Sequence, residues 1–175
     1  MSQQAVHENP MRAIKVGKVV VNIGVGKSGD PMEKAKRVLE QITGQTSSQR
    51  RAKRAVRDFG IHKGEPIGVA VTVRGAKTGE LISKLLVARD KKLPASCFDP
   101  RGSVSFGIKE HIEIPGIRYD PAIGILGLNV SVLLERPGYR VSRRARRTSR
   151  VGKEHVVTRG DAMEFFKQNF GVTVS

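Results

Sequence analysis

Three glycines near the N-terminus have the spacing of a phosphate-binding loop. Gly24, Gly26 and Gly29 form the pattern G-x-G-x-x-G between a predicted strand and a predicted helix. Glycines in that setting allow a tight turn and let backbone amides approach a pyrophosphate at the helix N-terminus. The pattern by itself indicates a nucleotide-dependent oxidoreductase.

The sequence after the helix argues against a dinucleotide. A Rossmann unit continues with an apolar parallel strand that carries an Asp or Glu about 20 residues on, which binds the ribose. Here residues 47–51 read S-S-Q-R-R, and alternating βαβ units do not follow. We therefore interpret the glycines as a tight strand-to-helix turn, and keep the oxidoreductase as the alternative hypothesis.

No other constellation of residues indicates catalysis. The four histidines are scattered, and none has metal-ligand spacing with a carboxylate or with Cys97, the single cysteine. No nucleophile, base and acid occur in a recognisable order. We predict a protein that is not an enzyme and that holds no cofactor and no metal.

The charge of the chain indicates an anionic partner. Lys and Arg number 32 against 16 Asp and Glu, which gives a formal net charge of +16. Nucleic acid is the first candidate and an acidic membrane surface the second. A single cysteine, no apolar run of about 18 residues and no signal-like N-terminus lead us to expect a cytoplasmic protein.

The pattern of apolar residues predicts a single α+β domain. Strands are predicted at about 15–23, 67–74, 103–114 and 125–135, each with one apolar face, and a further short strand is predicted from Phe59 to Ile61. Helices are predicted after Asp30, Thr78 and Thr158, each of which is a candidate N-cap. Glu33 and Asp161 are expected to complete capping boxes in the first and third helices, and Gly171 is expected to cap the end of the third. We expect a mostly antiparallel sheet with helices packed on one face and an open, polar and basic opposite face.

Two basic segments flank this core. Five of the nine residues from Gln49 to Arg57 are basic, and so are seven of the fourteen from Arg140 to Lys153. We expect the first to be a mobile loop without a buried strand, and the second to be extended and unable to fold alone. The second lacks the apolar face that membrane binding requires, which ranks a membrane partner last.

The open face and the basic segments together predict RNA binding. Phosphate neutralisation by Lys and Arg releases counterions, and no helix-turn-helix, zinc finger or basic zipper indicates DNA. Polar side chains on the open face suit 2′-hydroxyl and backbone contacts. Aromatic residues are only 5% of the chain, so wide stacking platforms are not expected. The predicted rRNA-binding residues include Lys18, Asn129, Arg140, Arg143 and Arg144.

The chain divides into four predicted parts. Residues 1–13 form a polar arm, and residues 14–139 form the RNA-binding core. Residues 140–157 form a basic extension, and residues 158–175 form a C-terminal helix that packs on the core.

Several motifs over nearly the whole chain resemble one family. They are N-P-M-R (9–12), V-V-V-N-I-G-V-G (19–26), I-T-G-Q (42–45), F-G-I-H-K-G-E-P-I-G (59–68), V-T-V-R-G (71–75), S-F-G-I-K-E-H-I (105–112), Y-D-P-A-I-G-I-L-G (119–127) and R-P-G-Y-R-V (136–141). As a set they resemble the universal large-subunit ribosomal protein family that binds 5S ribosomal RNA, number five in bacterial counting and eleven in eukaryotic counting. Residues 140–150 and the F-F-K-Q-N-F helix resemble its archaeal or eukaryotic branch.

The resemblance implies a structural role in the central protuberance of the large subunit. It implies partners that include 5S rRNA, large-subunit rRNA, P-site tRNA, neighbouring central-protuberance proteins and a small-subunit head protein. Asn22, Gln45, Thr72 and Arg74 match rRNA contact positions of the family. The loop matched to P-site tRNA carries Gln49, Arg50, Arg51, Lys53, Arg54 and Arg57. The loop matched to an intersubunit bridge carries Arg89, Lys91 and Lys92.

Overall fold

A five-stranded antiparallel sheet organises the fold. The computed structural model describes residues 9–27, 29–117 and 119–175, and this part of the chain forms seven β-strands and three α-helices. The strands are β1 (Lys15–Gly24), β2 (Ser48–Arg51), β3 (Pro66–Val73), β4 (Lys92–Leu93), β5 (Ser103–Ile108), β6 (Leu128–Glu135) and β7 (Thr173–Val174). The helices are α1 (Asp30–Thr43), α2 (Lys77–Val87) and α3 (Arg159–Phe170).

The strand order in the main sheet is β2-β3-β1-β6-β5, and every neighbouring pair is antiparallel. The short strands β4 and β7 form a separate parallel pair. The strand nearest the N-terminus, β1, therefore lies in the middle of the main sheet. The predicted α+β class with a mostly antiparallel sheet is confirmed.

The core lies on one face of this sheet. Alternation along β1 buries Val19, Val21 and Ile23 completely or nearly so, and β3 and β6 bury their matching positions. Helix α1 contributes an apolar stripe at helical spacing, from Met32 to Leu39. Full burial of each large aliphatic side chain contributes about 1.5–3 kcal/mol, so the helices stay on this face.

Helix α3 closes the core beyond β5. The predicted capping box is confirmed, because Thr158 accepts from the Asp161 amide and the Asp161 carboxylate accepts from the Thr158 amide. Phe166 is fully buried and meets Phe98 edge to face, with ring centroids 5.8 Å apart. Gly171 ends the helix in the left-handed conformation, as predicted.

The predicted starts of the first two helices are wrong. Asp30 is already helical and Gly29 is the N-cap, so the capping box expected between Asp30 and Glu33 is absent from α1. Thr78 is not a cap either. It lies buried inside α2, and its hydroxyl donates to the carbonyl of Gly75 at 2.7 Å.

Two predicted strands are shorter than expected. The strand predicted over 103–114 ends at Ile108, and the chain then forms a 3₁₀ turn, His111–Glu113. His111, which the alternation assigns to the open face, is buried, and its Nδ1 accepts from the Leu126 amide at 3.3 Å. The strand predicted over 125–135 begins only at Leu128.

The predicted polar arm falls partly outside the described residues, which begin at Asn9. There the Asn9 side chain accepts from the Met11 amide and caps a 3₁₀ turn, Pro10–Arg12. No helix in the described part of the chain has both the length and the apolar character needed to span a bilayer.

Candidate nucleic-acid interface

The glycine turn after β1 is hydrogen-bonded to the neighbouring strand β3. The amides of Val25 and Gly26 both donate to the carbonyl of Ile67, at 3.0 and 2.8 Å. Gly26 and Gly29 have φ of +75° and +95°, which only glycine adopts easily. The strand next to β1 on this side is antiparallel, so the geometry is not that of a dinucleotide fold. The glycines form a tight turn, and the two amides already have a partner in place of a pyrophosphate.

The face of the sheet opposite the helices is small and polar; we call it the open face. One row of paired residues crosses all five strands. In sheet order the row is Ser48, Ala70, Asn22, Asn129 and Gly107. Strands lie about 4.8 Å apart, so this row extends over roughly 20 Å. A row of amides, a hydroxyl and small residues gives a shallow surface with hydrogen-bonding groups along it.

A second row lies beside the first. It consists of Thr72, Val20, Ser131 and Ser105. Ser105 and Ser131 are exposed, and the Ser105 hydroxyl donates to that of Ser131 at 3.1 Å. Each hydroxyl keeps lone pairs for a further partner, so this row can accept hydrogen bonds from ribose 2′-hydroxyls.

Two cations lie at one end of the open face, beyond the second row. Lys18 precedes Val19 on β1 and Arg74 follows Val73 on β3, and Val19 pairs with Val73 in antiparallel register. The two basic residues therefore lie at the same end of the open face. Gln45 follows the Gly44 C-cap of α1 and leads into β2 at this end, where it is half-buried.

A third cation, Arg143, is held at this end next to a β-bulge. The β1–β6 register shifts between Val16 and Lys18, which leaves Gly17 as the extra residue. A side chain at Gly17 would collide with the carboxylate of Glu135. That carboxylate forms an ion pair with the guanidinium of Arg143. The bulge therefore makes room for Glu135, which holds Arg143 against the sheet.

The first basic segment is a β-hairpin and not the predicted mobile loop. Ser48–Arg51 pairs with β3 along the sheet edge, and the Ser48 hydroxyl donates to the Ala70 carbonyl at 2.9 Å. Ala52 continues the pairing, since its amide donates to Glu65 and its carbonyl accepts from Gly64. Residues 48–65 are called the basic hairpin below.

The tip of the basic hairpin is also ordered by backbone hydrogen bonds. Val56 and Ile61 exchange two of them, at 2.9 and 3.0 Å, around a 3₁₀ turn, Arg57–Phe59. The strand predicted from Phe59 to Ile61 is therefore wrong. All the residues matched to tRNA contacts are exposed on this hairpin: Gln49, Arg50, Arg51, Lys53, Arg54 and Arg57.

The second basic segment is folded against the core and not extended. The Tyr139 hydroxyl accepts from the Val157 amide and donates to the His155 carbonyl. Arg136 forms an ion pair with Asp161 at 2.9 Å. Within the segment, Arg144 and Thr148 donate to backbone carbonyls, and the Ser149 amide donates to Val141. Arg140, Arg143 and Arg144 are all exposed.

The third group of basic residues lies away from the open face. Arg89, Lys91 and Lys92 follow α2 and lead into β4, which pairs with β7 and not with the main sheet. Asp90 and Lys91 both adopt positive φ, of 51° and 54°. The amide of Lys91 donates to Leu86, and its carbonyl accepts from Thr173. This loop is fixed between the end of α2 and the C-terminal strand.

The structure thus brings Lys18, Asn22, Thr72 and Asn129 together on the open face, with Arg74 and Arg143 at its end. Sequence reasoning did not select Ser105 as a site residue, nor Glu135 as the partner of Arg143. Alternation along the predicted strand assigns Ser105 to the open face, but its contact with Ser131 and that of Glu135 with Arg143 arise only in the folded chain. In the described part of the chain, no group of His, Cys, Asp and Glu is arranged to hold a metal ion.

An antiparallel sheet with helices on one face and a polar, cation-edged surface on the other is typical of an α+β protein suited to bind nucleic acid. Comparison with known proteins defines the family. The model of ribosomal protein L5 matches residues 9–62, and the model of the C-terminus of the same ribosomal family matches residues 66–165. The chain belongs to the L5 family of large-subunit ribosomal proteins.

Relatives support this over almost the full length. The large ribosomal subunit protein uL5 of Nitrosopumilus maritimus is 51% identical over 168 residues, 96% of this chain and 97% of that protein. The uL5 proteins of Sulfurisphaera tokodaii and Pyrobaculum aerophilum are 51% and 52% identical, over 95% and 97% of this chain and 94% of each relative. The protein is a non-enzymatic constituent of the large subunit of the cytoplasmic ribosome, and the archaeal resemblance is confirmed.

Proposed function

We propose that the open face binds 5S rRNA and helps to attach it to the central protuberance. In this proposal the core, residues 14–139, provides the RNA surface, and the basic extension, residues 140–157, adds arginines at its edge. The arm, residues 1–13, and the C-terminal helix, residues 158–175, complete the four parts. Large-subunit rRNA and neighbouring central-protuberance proteins are the remaining partners there.

The observation that carries the proposal is the row that crosses the sheet through Asn22. Its members bring hydrogen-bonding groups onto a surface flat enough for an RNA backbone. Lys18, Arg74 and Arg143 lie at one end of the same face, where they can neutralise phosphates. A sheet with helices on both faces would offer no such surface.

The test is 5S RNA binding by the full chain with substitutions on the open face. We expect Thr72→Ala and Arg74→Ala each to weaken binding by roughly 1–3 kcal/mol, by analogy with base contacts to DNA. Loss of Arg74 is also expected to make the salt dependence less steep by about one unit. The thermal unfolding midpoint should not change for Arg74→Ala, because that side chain is exposed.

Arg37→Ala is the matched control. Arg37 is also exposed but lies on α1, in the helix layer on the opposite face. If the loss of Arg37 weakens binding as much as the loss of Arg74, the protein binds RNA only through its net charge. That result would overturn the assignment of the open face.

We propose further that the basic hairpin contacts P-site tRNA. Three exposed arginines, Arg50, Arg54 and Arg57, support this role, because they lie on an element that is ordered by backbone hydrogen bonds. Ribosomes in which Arg50, Arg54 and Arg57 are all replaced by alanine should bind P-site tRNA more weakly, with 5S rRNA content unchanged. Normal tRNA affinity in these ribosomes would remove the hairpin from the tRNA site.

The loop from residue 88 to 98 is proposed to bridge to a small-subunit head protein. The position of Lys91 and Lys92 supports this proposal. Their backbone is fixed by hydrogen bonds to α2 and β7, so the two cations lie beside the β4–β7 pair and not on the open face. Lys91→Glu with Lys92→Glu should weaken subunit association without affecting 5S rRNA binding. The control Lys84→Glu, on exposed α2 surface, should leave association unchanged.

A further inference from the structure

Phe59 is the most exposed of the large apolar residues in the described part of the chain, with 75% of its surface accessible. It ends the 3₁₀ turn at the tip of the basic hairpin, between Arg57 and the left-handed Gly60. The other phenylalanines of the described chain contribute to the core, either buried or packed at its edge. An exposed aromatic ring at this position is therefore not explained by folding.

The backbone that carries Phe59 is fixed. The amide of Gly60 donates to Arg57 at 3.0 Å, and the Val56–Ile61 pair closes the turn from both sides. The base of the hairpin is anchored by buried Ala52. The ring therefore projects from a rigid tip, and little backbone entropy is lost when a ligand meets it.

The surroundings of the ring favour a nucleobase as its partner. The exposed apolar surface of the tip consists of Phe59 and the partly exposed Val56, which is far below the roughly 800 Å² per partner of a stable protein interface. One phenyl ring matches the area of one base. Lys53, Arg54 and Arg57 on the same hairpin would hold the adjoining phosphates.

We propose that the Phe59 ring stacks on an exposed base, or on the outer face of a terminal base pair, in the RNA that the basic hairpin holds. The inference rests on the proposed contact between this hairpin and P-site tRNA. It adds a sequence-tolerant stacking contact to the phosphate contacts of the arginines. Such a contact recognises RNA that is folded so as to leave a base face uncovered, and not a regular duplex.

The experiment compares Phe59→Trp, Phe59→Leu and Phe59→Ala in ribosomes that carry each variant, with deacylated tRNA as the probe. Stacking predicts that Trp binds tRNA at least as tightly as Phe, while Leu and Ala both weaken it by roughly 5- to 150-fold. The salt dependence of binding should not change, because no phosphate contact is lost.

Leucine is the decisive variant, because it keeps the apolar character of the side chain and removes the aromatic face. Binding by Phe59→Leu at the level of the unchanged protein would overturn stacking and indicate a simple apolar contact. Unchanged binding by Phe59→Ala would overturn any role of the ring in tRNA binding.

The arginine variants separate this inference from the proposal on which it rests. If the triple variant of Arg50, Arg54 and Arg57 weakens tRNA binding while Phe59→Ala does not, the hairpin binds tRNA without stacking. If neither affects tRNA binding, both are wrong. Loss of affinity in both, with a smaller salt slope only in the arginine variant, supports both.

Discussion

The hydroxyl of Tyr139 accepts a hydrogen bond from the backbone amide of Val157 at 2.8 Å and connects the two ends of the basic extension. It also donates to the carbonyl of His155 at 3.2 Å. Val157 is fully buried, so its amide has no access to water at this site. One phenol therefore closes the stretch from Tyr139 to Val157, which contains all the exposed arginines of the extension.

Tyr139→Phe should destabilise the protein by about 1–3 kcal/mol, because the buried Val157 amide loses its acceptor. Urea denaturation measures the change, and hydrogen exchange at Val157 should become faster. Tyr119→Phe is the matched control, since Tyr119 is exposed. Equal stability of the two variants would mean that the hydroxyl does not hold the extension.

Phe166→Ala should lower the free energy of unfolding by about 3–5 kcal/mol, the range for truncation of a buried phenylalanine. The side chain is fully buried against Phe98, so its removal leaves a cavity between α3 and β5. Thermal denaturation gives the comparison with Phe59→Ala, which should change stability by less than about 0.5 kcal/mol. Similar losses in the two variants would contradict the packing described for α3.

Gly68→Ala and Gly79→Ala should have opposite effects on stability. A Cβ at Gly68 would lie 2.9 Å from the carbonyl oxygen of Ile23, so β1 and β3 would have to separate. A Cβ at Gly79 meets nothing within 4 Å, and α2 should gain about 0.5–1 kcal/mol from the better helix former. Denaturant midpoints test both, and a stable Gly68→Ala variant would contradict the close approach of the two strands.

Glu135→Gln should tighten 5S RNA binding. The substitution removes a negative charge at the end of the open face and releases the Arg143 guanidinium from its ion pair. If Arg143 then reaches a phosphate, the salt dependence should steepen by up to about one unit. The same change at exposed Glu40 on α1 is the control, and an equal effect there would show only the change in net charge.

The sequence predicted most reliably those elements whose two faces differ. Along β3, large apolar residues alternate with small and polar ones, and the strand lies within one residue of its predicted limits at both ends. The same alternation predicted a strand longer than β5, because Ile112 and Ile114 continue the pattern after the chain has left the sheet. Ile114 joins the hydrophobic core from the end of the 3₁₀ turn His111–Glu113 and not from a paired strand.

Where structure depends on distant parts of the chain, local patterns were insufficient. Strand β2 is polar and exposed throughout, and it exists because β3 offers a free edge to pair with. Asp30 followed by Pro31 is typical of a cap, but the positive φ of Gly29 starts the helix one residue earlier. The candidate site was predicted by residue type, whereas its edge contacts, such as Glu135 with Arg143, depend on how the chain folds back after β6.

Asn22 and Asn129 are neighbours on the open face, although almost the whole core sequence separates them along the chain. The surface that they form exists only after β6 has paired with β1, which is a slow, non-local step of folding. An unfinished or misfolded copy would still carry its positive charge but would lack the row of polar groups. If the open face binds RNA as proposed, RNA would bind a completed molecule more tightly than an equally basic, incomplete one, and ribosome assembly would select folded copies.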